Sequence, residues 1–116
     1  MGIIELEGML FHAFHGHFEV EQLVGNEFRV DIKIKTDCLK ASETDNIEDT
    51  LNYQSVYRII QKEMAVNSRL LENVAKRILD SLYCKFPQIK KVKLKISKMA
   101  PALGGDVEKV SVTLKR

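Results

Sequence analysis

The feature that most restricts the fold is the strict two-residue alternation between residues 27 and 38. Its centre, FRVDIKI at 28–34, alternates four apolar residues with three charged ones. Successive side chains of an extended chain point to opposite faces, so this pattern predicts a β-strand with one apolar and one polar face. Such a strand needs partner strands and a second layer that covers its apolar face.

Three other segments have strand character. Residues 3–14 alternate as far as Gly8 and then change phase, which predicts a bulge at the glycine. Residues 91–98 and 110–114 alternate apolar residues with lysine, serine or threonine. The first two strands are long, and we expect them to form an antiparallel pair with one solvated face.

Two helices are predicted between the second and third strands. Val56, Ile60 and Met64 have helical spacing, and Asn52 or Ser55 is a candidate N-cap. Apolar residues recur every four positions from Leu70 to Phe86, with Asn67-Ser68 as a break and candidate cap before them. Residues 17–26 and 40–53 are interpreted as a connector and a polar loop.

The element order is therefore ββααββ, which predicts an α+β fold with two layers. We expect a four-stranded antiparallel sheet with both helices on one face, formed by a single domain at residues 1–116. An open sheet has two edges, and edges are commonly covered or paired with another chain. As edges, the third strand could be protected by its lysines, whereas the second strand has fewer protective features, so we expect self-assembly through the sheet edges.

Composition narrows the cellular setting. The net charge of +2 is too small to imply a polyanionic partner. The start, MGIIELEG, lacks the features of a secretory signal, and no apolar run reaches the length of a membrane span. Cys38 and Cys84 are isolated and are interpreted as free thiols of a reducing compartment. A cytoplasmic location is expected.

Lys98 is the most unusual residue of the third strand. Its parity matches Val92, Leu94 and Ile96, so a strand that continues to residue 98 would point this lysine towards the apolar layer. Partial burial lowers a lysine pKa towards values that suit proton transfer. The alternative is that the strand ends at Ser97 and Lys98 is a solvated loop residue.

Other candidate sites carry weaker signals. His15 and His17, with His12 nearby, could form part of a zinc site, but a third ligand is missing from the local sequence. The lysines of IKKVKLKISK could contact phosphates, although a solvated face fits better because no aromatic residue is interleaved with them. Glu72 lies in the first turn of the second predicted helix, where acidic residues are common.

Several motifs, taken in order, resemble the dihydroneopterin aldolases of folate biosynthesis, which are aldehyde-lyases. They are GMLFHAFHG at 8–16, Glu21 shortly before Gly25, EFRVDIKIKTD at 27–37, TDNIEDTLNY at 44–53, LLENVA at 70–75 and SKMAPALGG at 97–105. The resemblance implies the tunnelling fold. It also implies assembly into a multi-subunit barrel, as tetramer rings stacked into homo-octamers, with active sites between subunits.

The resemblance also implies residue roles. Glu72 and the backbone of Leu71 would bind the pterin ring, with Tyr53 near the ring and its side chain. Lys98 would be the catalytic acid/base, with Tyr53 assisting proton delivery. Glu21 would lie close to Lys98, come from the opposite side of the pocket, and take part in both catalysis and substrate binding. A dihydropterin holds the carbanion electrons in its own C=N bond, so no metal and no cofactor are implied. The products would be hydroxymethyl-dihydropterin and glycolaldehyde, and inverted re-closure would give epimerisation to dihydromonapterin.

Three positions depart from the usual pattern of that family: His17, Gln22 and Asn26. Alternatives stay open. A dihydroneopterin-triphosphate epimerase shares the lysine and the glutamate. Pyruvoyl-tetrahydropterin synthases carry a histidine pair that His15-Gly16-His17 resembles superficially, though at a different place in the fold. A non-enzymatic nucleic-acid-binding module that uses the lysine face is the alternative from another class.

Overall fold

The strands form one antiparallel sheet in the order β1-β2-β3-β4. A computed structural model describes all residues, 1–116. The elements are β1 (Gly2–Ala13), α1 (Glu19–Val24), β2 (Asn26–Thr36), α2 (Leu39–Thr44), a 3-10 turn (Ile47–Asp49), α3 (Tyr53–Met64), α4 (Leu71–Lys85), β3 (Lys91–Met99) and β4 (Lys109–Lys115). The predicted ββααββ order of strands and long helices is confirmed. The interpretation of residues 17–26 as a connector and of residues 40–53 as a polar loop is wrong in detail, because these segments contain the short helix α1 and most of the short helix α2.

The predicted bulge lies in β1 at Gly8. The pairing of β1 with β2 shifts register between Leu6 and Met9. Gly8 has φ +70°, a conformation that glycine adopts without steric cost. Its N–H donates to Asp31 Oδ1 at 2.7 Å, so a side chain of the neighbouring strand satisfies the donor that the bulge leaves free. After the bulge, Met9 and Ala13 point into the core.

The expectation that the second strand is an edge is wrong. β2 pairs with β1 on one side and with β3 on the other. The chain crosses over through α3 and α4 and returns beside β2, where the apolar residues of β3 lie opposite those of β2, as in the pair Ile32 and Leu94. The free edges therefore belong to β1 and β4, the first and last strands of the chain.

The core lies between the sheet and the two long helices. Its fully buried side chains include Phe28, Ile32, Ile60, Ile78 and Leu94. The predicted cap at Asn52 is confirmed, since its side chain accepts from Gln54 N at 3.0 Å. The predicted cap of α4 by Asn67 or Ser68 is wrong. α4 begins after Leu70, which has no capping side chain, and the Ser68 hydroxyl donates to the Asn73 side chain rather than capping a backbone N–H.

None of the helices is both long enough and apolar enough to cross a membrane.

Candidate active site

Lys98 lies inside β3, which continues to Met99. It pairs with Phe28 on one side and Val110 on the other, and its side chain is 15% exposed. The alternative of a solvated loop cation is therefore wrong. The strand end is held by two bonds: Asn26 Nδ2 donates to the Met99 carbonyl at 3.0 Å, and Ala100 N donates to the Glu108 carbonyl at 2.7 Å. Asn26, one of the departures from the family pattern, thus supports the strand end that carries Lys98.

Glu21 reaches Lys98 from helix α1 of the same chain. Glu21 Oε2 forms an ion pair with Lys98 Nζ. Glu21 Oε1 accepts from Phe18 N at 3.2 Å, which fixes the other oxygen of the carboxylate. The Glu21 side chain is 21% exposed, so both partners of the pair are largely withdrawn from water. The fold brings these two predicted residues together although they are remote in sequence.

The electrostatics of this pair suit proton transfer. Burial lowers the pKa of Lys98 from its ordinary value. The desolvated amine is therefore easier to deprotonate than a surface lysine, and the ion pair with Glu21 holds it in place.

Gly16 packs closely against the Glu21 side chain. A Cβ at this position would lie 2.6 Å from two carbon atoms of the Glu21 side chain, so only glycine fits without displacing it. Gly16 N donates to the Ser68 carbonyl at 3.0 Å. The Gly16 carbonyl accepts from Gln22 Nε2 at 3.0 Å. Gln22, another departure from the family pattern, helps to fix the loop that faces Glu21.

The other predicted site residues lie apart from this pair. Tyr53 is the first residue of α3 and is 58% exposed. Leu71 is half-buried and Glu72 is exposed, both in the first turn of α4. No hydrogen bond or ion pair within the chain joins Tyr53 or Glu72 to Lys98 or Glu21. The chain thus places the Lys98–Glu21 ion pair at the end of β3 and the other predicted site residues at two helix starts.

The three histidines do not form a shared site. His15 is buried, and its Nδ1 accepts from Ser68 N at 3.0 Å, whereas His17 is exposed. His12 Nε2 lies 3.2 Å from the Val24 carbonyl. No group of three or more histidine, cysteine or acidic side chains is placed to hold a metal ion. His15 and His17, which the sequence suggested as a zinc-binding pair, differ in environment, because the first is buried and the second is exposed.

The buried position of His15, near the Glu21 segment, was not predicted from the sequence. Burial lowers the pKa of His15 to about 4, and the Arg77 guanidinium acts in the same direction, while the Met64 carbonyl favours the protonated ring. Its Nε2 is buried without a hydrogen-bond partner in the chain. The sequence feature that could have indicated its burial is its place directly after an apolar strand and directly before a glycine.

The lysine row of β3 lies on the sheet face opposite the helices, as predicted. Lys93 there stands between Lys33 and Lys115. Ser97 is the exception to the expected solvated face, because it is buried and its Oγ lies 2.7 Å from Ser111 Oγ.

Comparison with known proteins gives the family. A dihydroneopterin aldolase family model matches residues 4–115. The chain belongs to the dihydroneopterin aldolase family. Dihydroneopterin aldolase from Streptococcus pyogenes serotype M1 is 34% identical over 120 residues, covering 100% of this chain and 98% of the relative. The Bacillus subtilis enzyme of the same name is 31% identical over 117 residues, with 100% and 98% covered.

A solved structure of the family has the same fold. Escherichia coli dihydroneopterin aldolase in complex with neopterin is similar to this chain with a TM-score of 0.92 and 25% identity, covering 100% of this chain and 99% of that one. The predicted α+β fold and the aldehyde-lyase class are thus confirmed at the level of the family. The epimerase, the synthase and the nucleic-acid module are not favoured by these comparisons.

The burial of His15 predicts a stability change at mildly acidic pH. The unfolded state binds a proton at His15 near its ordinary pKa of 6.5, whereas the folded state does so only near pH 4. The stabilisation is therefore complete above pH 6.5 and is lost as the pH falls from 6.5 towards 4. Between pH 7 and pH 5 the loss should be about 2 kcal/mol.

The measurement is urea unfolding at fixed protein concentration at both pH values, for wild type and His15→Asn. The variant should lack this part of the pH dependence. Equal losses in the two proteins would show that His15 is not the group responsible.

Proposed function

We propose that this chain cleaves dihydroneopterin by a retro-aldol reaction, releasing glycolaldehyde and leaving hydroxymethyl-dihydropterin. The observation that carries the proposal is the partly buried Lys98–Glu21 pair, located in a fold of the dihydroneopterin aldolase family. An acid/base pair that is largely shielded from water is what a reaction with two proton transfers needs.

The reaction balances with the groups present. A proton leaves the hydroxyl on the second side-chain carbon, which is beta to the C=N bond of the dihydropterin, and the bond between the first and second side-chain carbons breaks. The bonding electrons form a C=C bond to the ring carbon while the C=N pair moves to nitrogen, which gives an enamine, and the second and third carbons depart as glycolaldehyde. A proton then returns to the carbon that remains on the pterin. Lys98 moves the first proton directly or through water, and Tyr53 assists the second.

The pterin ring is assigned to Glu72 and Leu71. The ring presents an amino group and an adjacent N–H, two parallel donors that match the two oxygens of a carboxylate. Glu72 is exposed and free of competing side-chain bonds, and the start of a helix favours a negative side chain in its first turn. The family's Escherichia coli structure contains neopterin, a ligand of this ring class.

An active site formed between two subunits would account for the separation, within one chain, of the Lys98–Glu21 pair from the residues at the helix starts. The edges of β1 and β4 are both free. α1 and the residue before it also expose apolar side chains that a monomer would leave in water: Phe18, Val20, Leu23 and Val24. We propose pairing of these edges into a tetrameric ring, with two rings forming an octamer, so that Lys98–Glu21 and the helix-start groups meet across an interface.

The proposed enzyme acts as a single domain in the cytoplasm and uses neither metal nor cofactor. The substrate supplies the electron sink, so neither a lysine Schiff base nor a Lewis acid has a necessary role.

Replacing Lys98 should remove turnover and leave pterin binding intact. We expect Lys98→Ala to lower kcat at least 100-fold, because a positioned acid/base contributes about 10²–10⁴-fold. Its Kd for neopterin should stay within about threefold of wild type, since binding is assigned to other residues. Steady-state kinetics and ligand fluorescence provide the two measurements.

Two variants sharpen this test. Lys98→Arg keeps a positive charge beside Glu21 but stays protonated, so it should be as slow as Lys98→Ala. Lys95→Ala, on the polar face of the same strand, should retain wild-type kinetics. Full activity in Lys98→Arg would show that only the charge matters and would contradict the proton-transfer role.

Replacing Glu72 should have the opposite profile. We expect Glu72→Ala to weaken neopterin binding about 10–100-fold, because two ligand donors lose a charged acceptor worth about 1.5–3 kcal/mol. kcat at saturating substrate should fall less than the affinity. Glu43→Ala removes another exposed carboxylate and should leave binding unchanged. Unaltered affinity in Glu72→Ala would overturn the assignment of the ring to this residue.

A further inference from the structure

His15 lies between the segment that leads to Glu21 and the turn that precedes α4. It follows β1 directly and precedes Gly16. Its ring lies edge-on to Phe28, with centroids 5.3 Å apart and an angle of 74° between the planes. Phe28 is in turn the β2 partner of Lys98. The imidazole therefore packs against the residue of β2 that pairs with Lys98.

Two parallel hydrogen bonds join this junction to Ser68. His15 Nδ1 accepts from Ser68 N, and Gly16 N donates to the Ser68 carbonyl, both at 3.0 Å. His15 and Gly16 thus satisfy the donor and the acceptor of one residue in the turn between α3 and α4. A backbone N–H in a buried position needs a partner, so loss of the Nδ1 acceptor would disturb this turn.

Ser68 is itself fixed by the start of α4. Its Oγ lies 2.6 Å from Asn73 Oδ1 and accepts from Arg77 Nη2 at 2.8 Å. Arg77 also forms an ion pair with Glu63 at 2.7 Å between Nη1 and Oε1. The turn is therefore held by side-chain bonds to α3 and α4, and the bonds of His15 and Gly16 tie the residues after β1 to it.

Gly16, the residue after His15, packs closely against the Glu21 side chain. Gly16 has no space for a side chain beneath Glu21, and its carbonyl also holds Gln22. A displacement of Gly16 would therefore move the carboxylate that pairs with Lys98. Misplacement of a reacting group by about 1 Å can cost about 10²-fold in rate.

We propose that His15 is a positioning residue for the proton-transfer pair. Its unprotonated Nδ1 ties the segment that precedes Glu21 to Ser68 and so keeps Glu21 against Lys98. It is not itself proposed as a catalytic residue, since its ring is buried and contacts Phe28 and Ser68, with no bond to Lys98 or Glu21. This inference rests on the proposed function for its kinetic consequence, while the structural tie itself can be tested without activity.

The kinetic test compares variants that differ in the Nδ1 acceptor. His15→Leu removes it and should lower kcat at least tenfold with neopterin Kd within about threefold. His15→Asn places its amide oxygen near the position of Nδ1 and should recover most of kcat. If His15→Leu does not fold, His15→Gln takes its place, because its amide lies one carbon further out and should not recover kcat.

A stability control separates positioning from general destabilisation. Ile34→Val truncates the core at the far end of β2 and should lower the melting temperature without changing kcat. A folded His15→Leu with kcat within twofold of wild type would overturn the proposal. A slow His15→Asn, or an equally slow Ile34→Val, would also overturn it, since the rate would then follow stability and not the acceptor.

The structural tie has a readout that does not depend on turnover. Amide hydrogen exchange at Gly16 and Ser68 should be faster in the acceptor-lacking variant and near wild type in His15→Asn. If the wild-type protein fails to cleave dihydroneopterin, the proposed function fails while this comparison still decides the role of His15. Unchanged exchange at both amides in the acceptor-lacking variant would refute it.

Discussion

The structure depends on holding a lysine and a glutamate together at the end of a sheet, largely out of water. Two charges are tolerated there because each compensates the other and Glu21 has a backbone donor for its second oxygen. Removal of either partner would leave an uncompensated charge in a partly desolvated position. The loop after β3, the glycine beneath Glu21 and the side chain of Asn26 all serve to keep this pair in one geometry.

The residues of the proposed active site lie in two separate parts of the fold. The antiparallel sheet and the two long helices form the core, and the Lys98–Glu21 pair lies at one end of the sheet. The residues proposed to bind the pterin lie at helix starts, where Tyr53 and Glu72 are exposed. This separation within one chain is consistent with the proposed site that a second copy completes.

Local pattern was enough to predict much of this fold. Alternation in β2 and β3 fixed which side chains are buried, and parity alone pointed Lys98 towards the core layer. The phase change at Gly8 located the bulge, and the polar residue before α3 located its cap. These features depend on neighbours within a few residues, which a sequence displays directly.

Features set by distant contacts could not be predicted in the same way. The choice of β1 and β4 as edges depends on where the crossover returns, and sequence order alone does not determine it. The burial of His15 depends on its bonds to Ser68, which is remote in sequence. The resemblance placed Glu21 close to Lys98, but their contact within one chain depends on the position of α1, a helix that the sequence pattern did not predict.

The most direct test of the account is a product assay. Purified protein is incubated with 7,8-dihydroneopterin in the presence of a strong chelator, and both products are quantified by chromatography. The account predicts equal amounts of glycolaldehyde and hydroxymethyl-dihydropterin, formed at the same rate as without the chelator. Absence of cleavage, or a rate abolished by the chelator and restored by zinc, would contradict it.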